Sequence, residues 1–410
     1  MIFFNRKPKK GAYAELGVSN TKDAIREATK NNDKGLFPYA FCKINPLELP
    51  PLTIPGDSYV MIAHGDGAGT KTSMAYLYWR ETGDASVWAD VVQDSIVMNL
   101  DDVICAGGID GAMSLVALAN RNPFRVPDEV VADLINGENK FLKNLESHNV
   151  KIIGQQGETA DVPDLTPTTV LDNALFCIMR KSDVIDNANI REGNWVVGLA
   201  SNGQAFYEDK YNSGIRSNGL TLARHGLLHK RYRRKYPETF EKKLGKKAYR
   251  GSWRVGDPVL VETGDMVPMG KNILSPTRTY AMIMRAIYDA FGGNGRIAGA
   301  VHNSGGGMTK VLNHLEKPLV VVKDNLFKTP TLFTMIREET KTAWEEMYQT
   351  FNMGVGLELY VRDQATANRI IEISRGFGVN AGIIGRVEKA KGDKSCVSIF
   401  GEHGAFDYSR

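Results

Sequence analysis

Between residues 64 and 71 the chain reads His-Gly-Asp-Gly-Ala-Gly-Thr-Lys, residue types suited to gripping a phosphorylated ligand. Glycines let backbone approach an anion closely, successive N–H groups cradle phosphate oxygens, Lys71 adds a cation, and Asp66 offers a hard oxygen ligand to a metal ion. The run is not a Walker A loop, which needs Gly immediately before Lys, where Thr70 stands. A dinucleotide fingerprint also fails, because the third required glycine counted from Gly65 is again Thr70. A tight turn carrying a solvated lysine is the plainer alternative.

Carboxylates follow at Asp90, Asp94, Asp101 and Asp102. On a helix Asp90 and Asp94 are one turn apart, and Asp101 returns to nearly the same face about 10 Å beyond Asp94. Such acids facing a phosphate cradle would suit Mg²⁺. Ordinary surface acids are the alternative, weakened for Asp101-Asp102 by their apolar setting before Cys105-Ala-Gly-Gly, where uncompensated charge is costly. Gly157-Glu158-Thr-Ala-Asp161-Val-Pro adds two more carboxylates. Downstream lie Arg216-Ser-Asn218-Gly, Ser275-Pro-Thr277-Arg278-Thr-Tyr, His302-Asn-Ser-Gly305-Gly306-Gly307 and Thr350-Phe-Asn352-Met-Gly-Val-Gly. Each alone reads as a turn or helix start, and the triple glycine before a helical pattern as either an anion site or a loop.

Seven of these stretches, DGAGTK, MNLDD, GETADVP, SNG at 217–219, LSPTRTY, SGGG and MYQTFNMGVG, occur in the order in which they resemble the aminoimidazole ribonucleotide synthetase family, also called phosphoribosylformylglycinamidine cyclo-ligase. The resemblance runs from about Gly17 to Val387. It implies an ATP-dependent ring closure in purine biosynthesis, with phosphoryl transfer to an amide oxygen followed by intramolecular attack of nitrogen. It further implies ATP and Mg²⁺, with Asp66, Asp94, Asp101 and Asp102 on the metal and phosphates, and Gly67, Gly69, Thr70 and Lys71 on phosphate. Lys71, Asp66, Glu158 and Asp161 would stand at the reacting centre, while Asn218, Thr277, Arg278, Gly305, Gly306, Gly307 and Asn352 would bind phosphate or substrate. The implied fold is a homodimer, with an N-terminal sheet pairing across the dimer, a C-terminal α/β domain, and ATP at their junction.

The chain departs from the family pattern in four places. Asp101-Asp102 replaces the usual Asn-Asp, and Arg216 stands where a His commonly precedes Ser-Asn-Gly. Gln204 to Ile215 forms an insertion, and the basic segment after Arg224 is longer than usual. A divergent ATP-dependent member with another substrate, or a catalytically silent binding paralogue, is therefore the alternative reading.

The elements that must position these residues alternate strand and helix in both halves, which indicates an α/β or α+β layered fold. A strand at 58–63 leads into the glycine run, and a helix carries Trp88 to Val103 until Gly107-Gly108. Another helix covers 128–148, with strands at 151–153 and 174–179. The texture resets after Lys181, so the domains are expected at 1–182 and 183–410. The second contains a strand at 195–199, helices at 276–291, 308–314 and 365–375, and an apolar run at 354–361.

With 410 residues, 42% hydrophobic and 24% charged, the composition excludes disordered and fibrous classes. No apolar run approaches the ~20 residues that cross a bilayer, and MIFFNRKPKK lacks a signal-peptide pattern, so a cytoplasmic protein is expected. Cys42, Cys105, Cys177 and Cys396 are widely spaced and read as buried small hydrophobes. The net charge of +4 conceals a basic insert at 224–250, with eleven Lys or Arg against two Glu. Tyr232, Tyr236 and Phe240 recur every four residues there and suit one packing face of a helix, which makes nucleic-acid binding the lesser reading.

Overall fold

A computed structural model describes residues 11–18, 27–47 and 58–410; MIFFNRKPKK lies outside them. The N-terminal sheet contains β1 (Asn45–Pro46), β2 (Tyr59–Gly67), β3 (Ala112–Arg121), β4 (Ile152–Gly154), β5 (Glu158–Asp161) and β6 (Thr169–Arg180). The order is β1-β2-β6-β3-β4, with β5 also pairing with β3; β4 and β5 run parallel to β3 and the other pairings are antiparallel. Helices α1 (Lys71–Thr82), α2 (Val87–Cys105) and α3 (Asp128–Ser147) accompany this sheet. The centre of α2 is buried on all sides, with Asp94, Ser95, Asn99 and Asp101 enclosed beside Val91, Ile96 and Leu100. Gly137 lets α3 approach closely, since a β-carbon there would lie 2.6 Å from Ala89 Cα.

The second sheet contains β7 (Trp195–Ala200), β8 (Ile297–His302), β9 (Leu319–Lys323), β10 (Val355–Val361), β11 (Ala381–Lys389), β12 (Cys396–Gly401) and β13 (Gly404–Ser409). Its order is β8-β10-β7-β11-β9-β12-β13, antiparallel except for β9 with β12. Helices α4 (Leu220–Leu227), α5 (Ala281–Phe291), α6 (Thr331–Thr340) and α7 (Gln364–Gly376) belong to this half. Asp363 caps α7 by accepting the Thr366 N–H at 2.8 Å. The mixed α/β class expected from the sequence is the one observed.

Several boundaries differ from expectation for local reasons. β2 continues through the glycine run to Gly67, because the ladder with β6 persists to Gly67 opposite Asp172. A β-carbon on Gly67 would collide with Asp172 Oδ1 at 1.9 Å and Leu171 O at 2.5 Å, so only glycine fits there. α5 starts at Ala281, since Pro276 to Tyr280 form no regular element and use their polar groups on α2. The 308–314 helix is a 3₁₀ turn, Gly307–Asn313. The one α-helix that begins within the basic insert is short, Arg231–Lys235, because Pro237 disfavours helical backbone at Tyr236, and 3₁₀ turns follow at Pro237–Thr239 and Lys242–Lys247. Tyr232 and Tyr236 nevertheless stack at 6.2 Å, and Phe240 packs edge-on against Tyr249 at 5.7 Å. Cys42, Cys105 and Cys177 are buried and Cys396 is half-buried.

Candidate active site at the seam between the two sheets

Lys71 opens α1 directly after the glycine run and is completely buried. Its ammonium donates to Asp94 Oδ1 of α2 at 2.7 Å and to Ser275 O from the C-terminal half. The same carboxylate oxygen accepts the Thr277 N–H at 2.8 Å and the Thr277 hydroxyl. Burial raises the Asp94 carboxyl pKa and lowers that of the Lys71 ammonium, and each partner opposes the other's shift. Seven residues on, Asp101 accepts the Thr279 hydroxyl at 2.7 Å and the Tyr280 N–H at 3.2 Å. Burial pushes the Asp101 carboxyl up to about 7, against the opposing charge of Arg216 and the Thr279 and Tyr280 bonds. The i, i+7 spacing on α2 is thus answered by alternate residues of the 275–280 segment, Thr277 and Thr279.

Asp102 faces a different pair. His302 Nδ1, at the end of β8, lies 2.6 Å from Asp102 Oδ1, and His64 Nε2, on β2, lies 3.4 Å from Oδ2. Burial drives His302 down to about 4, reinforced by Arg216, so the neutral ring donates its Nδ1–H to the carboxylate. Burial alone would raise the Asp102 pKa, but the His302 hydrogen bond holds it below the usual range. His64 Nδ1 meets Asn99 Oδ1 at 2.9 Å, and Asn99 donates to Asp66 O at 3.0 Å, tying the glycine-bearing strand to α2.

Three glycine-bearing segments converge above this buried layer. Thr70 and Thr221 hydroxyls lie 3.3 Å apart, joining the first glycine run to the start of α4. A β-carbon on Gly305 would stand 3.2 Å from Asn218 Nδ2, placing the SNG turn against the triple glycine. Gly306 and Gly307 have φ of 99° and 51°, conformations that glycine supplies without strain. Arg216 is buried with its guanidinium 5.6 Å from the Tyr280 ring centre. Gly356 makes the room, since a β-carbon there would meet Arg216 Nη2 at 2.4 Å and Tyr280 Oη at 2.0 Å.

Other residues singled out in the sequence sit elsewhere. Arg278 is 1% exposed and grips Glu208 with both Nε (2.9 Å) and Nη2, while Nη1 donates to Asn202 O at 2.8 Å and Ala200 O at 3.1 Å. Its donors are therefore engaged by protein, which makes it a brace for the 275–280 segment. Asn352 bridges three segments, accepting from Ser201 Oγ (2.8 Å) and Gly354 N (2.9 Å) and donating to Gly214 O (2.8 Å). Glu158 and Asp161 are exposed on β5, and Asp161 accepts Arg121 Nε at 2.7 Å. Gly67, Asp172, Leu118 and Glu158 align in register across β2-β6-β3-β5, so Glu158 lies three strand spacings, about 14 Å, from the glycine run. It lines a cavity of about 300 Å³ with Val92, Leu134, Leu171 and Asn173. That cavity adjoins the glycine run, because Ala68 N donates to Leu171 O at 2.9 Å.

Asp66 is exposed beside the glycine run, with its Oδ1 accepting the Gly67 N–H at 2.7 Å. The implied Asp66, Asp94, Asp101 and Asp102 set does not form a ready-made metal cage. Among the described residues no group of three His, Cys, Asp or Glu side chains is placed to hold a metal ion. The physical reason is that Asp94, Asp101 and Asp102 each face a separate set of protein donors. Glu208, which holds Arg278, stands in a stretch with no motif that would have singled it out.

The AIR synthase related protein, C-terminal domain, family pattern matches residues 191–397. A phosphoribosylformylglycinamidine cyclo-ligase from Fusobacterium nucleatum is 31% identical over 341 residues, 82% of this chain and 83% of that protein. The chain belongs to the phosphoribosylformylglycinamidine cyclo-ligase family. The family member from Methanococcus vannielii is 29% identical over 334 residues, covering 81% of this chain and 79% of that protein. In three dimensions the chain resembles T. maritima PurL complexed with ADP, with a TM-score of 0.52 at 11% identity. That likeness covers 97% of this chain and 49% of PurL, so the cyclo-ligase fold seen here corresponds to about half of the larger protein.

Proposed function

We propose that this chain is an ATP-dependent cyclo-ligase of purine biosynthesis that converts formylglycinamidine ribonucleotide to aminoimidazole ribonucleotide, ADP and phosphate. The observation that carries the reading is membership of the cyclo-ligase family across both halves of the chain, joined to the meeting of its glycine-bearing segments at one seam. The substrate's amide oxygen attacks the γ-phosphorus of ATP and ADP departs. The substrate's own amidine nitrogen then attacks the activated carbon and gives up its proton, and the former amide oxygen leaves with phosphate. Both steps demand alignment and charge neutralisation more than a strong protein nucleophile.

In this reading the nucleotide phosphates lie on the turn from Gly67 to Thr70 at the N-terminus of α1, with Lys71 supplying positive charge from behind. The base enters the apolar cavity lined by Val92, Leu134 and Leu171, whose rim includes Glu158 and Asn173. The SNG and triple-glycine turns, with Asn218 and Gly305 to Gly307, take the anionic groups of the ribonucleotide. Thr277, Arg278 and Asn352 hold the walls in place. Asp161, bound to Arg121, shapes the end of β5.

Magnesium fits as a nucleotide-borne ion, since Mg²⁺ needs only one or two carboxylates when phosphates and water complete its shell. Exposed Asp66 is suited to that role, with Asp94, Asp101 and Asp102 as the buried acidic layer beneath. The ion would neutralise charge developing on the phosphoryl oxygens. A homodimer is supported by the uncovered face of the N-terminal sheet, where Leu118, Val170, Phe176 and Ile178 are each about 40% exposed on adjacent strands. We assign residues 1–182 to nucleotide binding and dimerisation and 183–410 to the second domain, and place the reaction in the cytoplasm. No helix among the described residues is long and apolar enough to cross a membrane.

The deciding experiment supplies purified protein with Mg²⁺-ATP and formylglycinamidine ribonucleotide, then follows ADP and aminoimidazole ribonucleotide together. Equal release of both supports the reading. ATP consumption indifferent to the ribonucleotide, or none at all, removes it.

A further inference from the structure

Behind the triple-glycine turn two fully buried charges meet. Lys323 closes β9 and Glu358 sits within β10. Two strands, β7 and β11, separate them, and the residues in register with Glu358 on those strands are Gly198 and Gly382. Lys323 Nζ donates to Glu358 Oε1 and, at 2.6 Å, to Met308 O. The same Glu358 oxygen accepts Asn303 Nδ2 at 2.8 Å, and Oε2 accepts the Tyr360 hydroxyl at 2.7 Å.

Asn303 and Met308 flank the segment Ser304 to Gly307. One carboxylate is therefore linked to both feet of the glycine turn, directly at Asn303 and through Lys323 at Met308. Asn303 is further fixed by its N–H to Gly356 O at 3.0 Å and its side chain to Val355 O at 3.0 Å. Gly305 to Gly307 lack side chains that would restrict the turn, so a polyglycine segment left to itself samples many conformations. A buried ion pair offers little net stability over apolar residues of similar volume, which leaves specification of a geometry as the gain to be explained here.

We propose that Lys323, Glu358 and Asn303 are positioning residues that set the span of the 304–307 turn, so that its amides hold one arrangement toward a phosphate group of the ribonucleotide. The part concerning phosphate rests on the proposed ring closure; the part concerning the turn does not.

The test replaces both charges at once, Lys323→Met with Glu358→Met, so that no lone charge is buried. Hydrogen exchange at Gly305 to Gly307 should quicken about tenfold relative to wild type as the turn loosens locally. The KM for formylglycinamidine ribonucleotide should rise about tenfold with kcat changed less than about twofold, the scale seen when groups that support a binding shell are removed. Wild-type exchange in a folded double variant overturns the proposal. Should that variant not fold, Asn303→Ala releases one foot and keeps the ion pair; it should show the same changes in smaller measure, and wild-type exchange there overturns the proposal equally. If wild-type protein shows no ribonucleotide-dependent ATP turnover, the ring-closure reading fails, while the exchange measurement still decides whether the staple exists.

Discussion

Two buried lysine–carboxylate pairs occupy different places in this molecule. Lys71–Asp94 lies at the seam, where the N-terminal half contributes both charges and the C-terminal half contributes Ser275 and Thr277. Lys323–Glu358 lies within the second half, crossing its own sheet to brace one turn. Burial lowers the pKa of both lysines, with the carboxylate partner opposing the change. What separates them is the identity of the remaining bonds. The first pair joins two halves of the protein, and the second joins a strand to a loop. The same chemistry therefore organises a site on one scale and tunes a turn on another.

The strongest way to break this comparison is Lys71→Met. Losing the charge behind the phosphate-binding turn should cut turnover at least about 100-fold, the order found when one preorganised electrostatic group is removed. Leaving Asp94 unpaired should cost about 3–5 kcal/mol of stability, read by denaturant unfolding. Unchanged turnover in folded protein would deny the seam pair any part in catalysis. Glu358→Gln alone should also destabilise, by about 3 kcal/mol, since Lys323 loses its counter-charge. Its effect on turnover should be much smaller, and equal catalytic losses in the two variants would erase the distinction.

Arg278→Lys sharpens the role of the seam walls. It preserves charge but loses the forked grip on Glu208, so unfolding should come about 2 kcal/mol earlier. Wild-type stability with a specific rise in substrate KM would instead restore Arg278 as a ligand-binding cation.

His225 gives a pH signature outside the site. Burial, aided by Arg224 and Arg250, pushes its pKa down to about 2. The unfolded chain takes up a proton near pH 6.5 while the folded chain refuses it, so stability is lost as pH falls below that value. Between pH 7.5 and 4.5, His225→Gln should lose about 3 kcal/mol less than wild type in parallel unfolding curves. The smallest effect is expected from replacing exposed Lys242, Lys243 and Lys246 with Gln. Stability should move by no more than about 0.5 kcal/mol, and ring-closure kinetics should hold. A collapse in substrate affinity would make the basic insert part of the site.

Elements with strong periodicity were readable from sequence. The α2 pattern ends at its double glycine, and the buried stripe of α3 follows directly from its apolar spacing. The glycine run and the acids of α2 were also visible as site material, because glycine and buried aspartate each carry a physical cost that asks for a reason. Partnerships were not visible. Nothing local in Arg278 indicates that Glu208, 70 positions earlier, will occupy it, and nothing in Asp94 and Asp101 shows that alternate residues of 277–280 will cover them. The 276–280 segment has the composition of a helix start, yet tertiary hydrogen bonds hold it out of the helix. Tyr232, Tyr236 and Phe240 have helical spacing, but Pro237 and the surrounding aromatic packing decide their arrangement.

The shared oxygen of Asp94 also governs how the molecule opens. Swinging one half away from the other would strip Thr277 from a carboxylate enclosed on every side and withdraw Ser275 from the lysine that balances it. That penalty disfavours a hinge at this seam and keeps the two halves together.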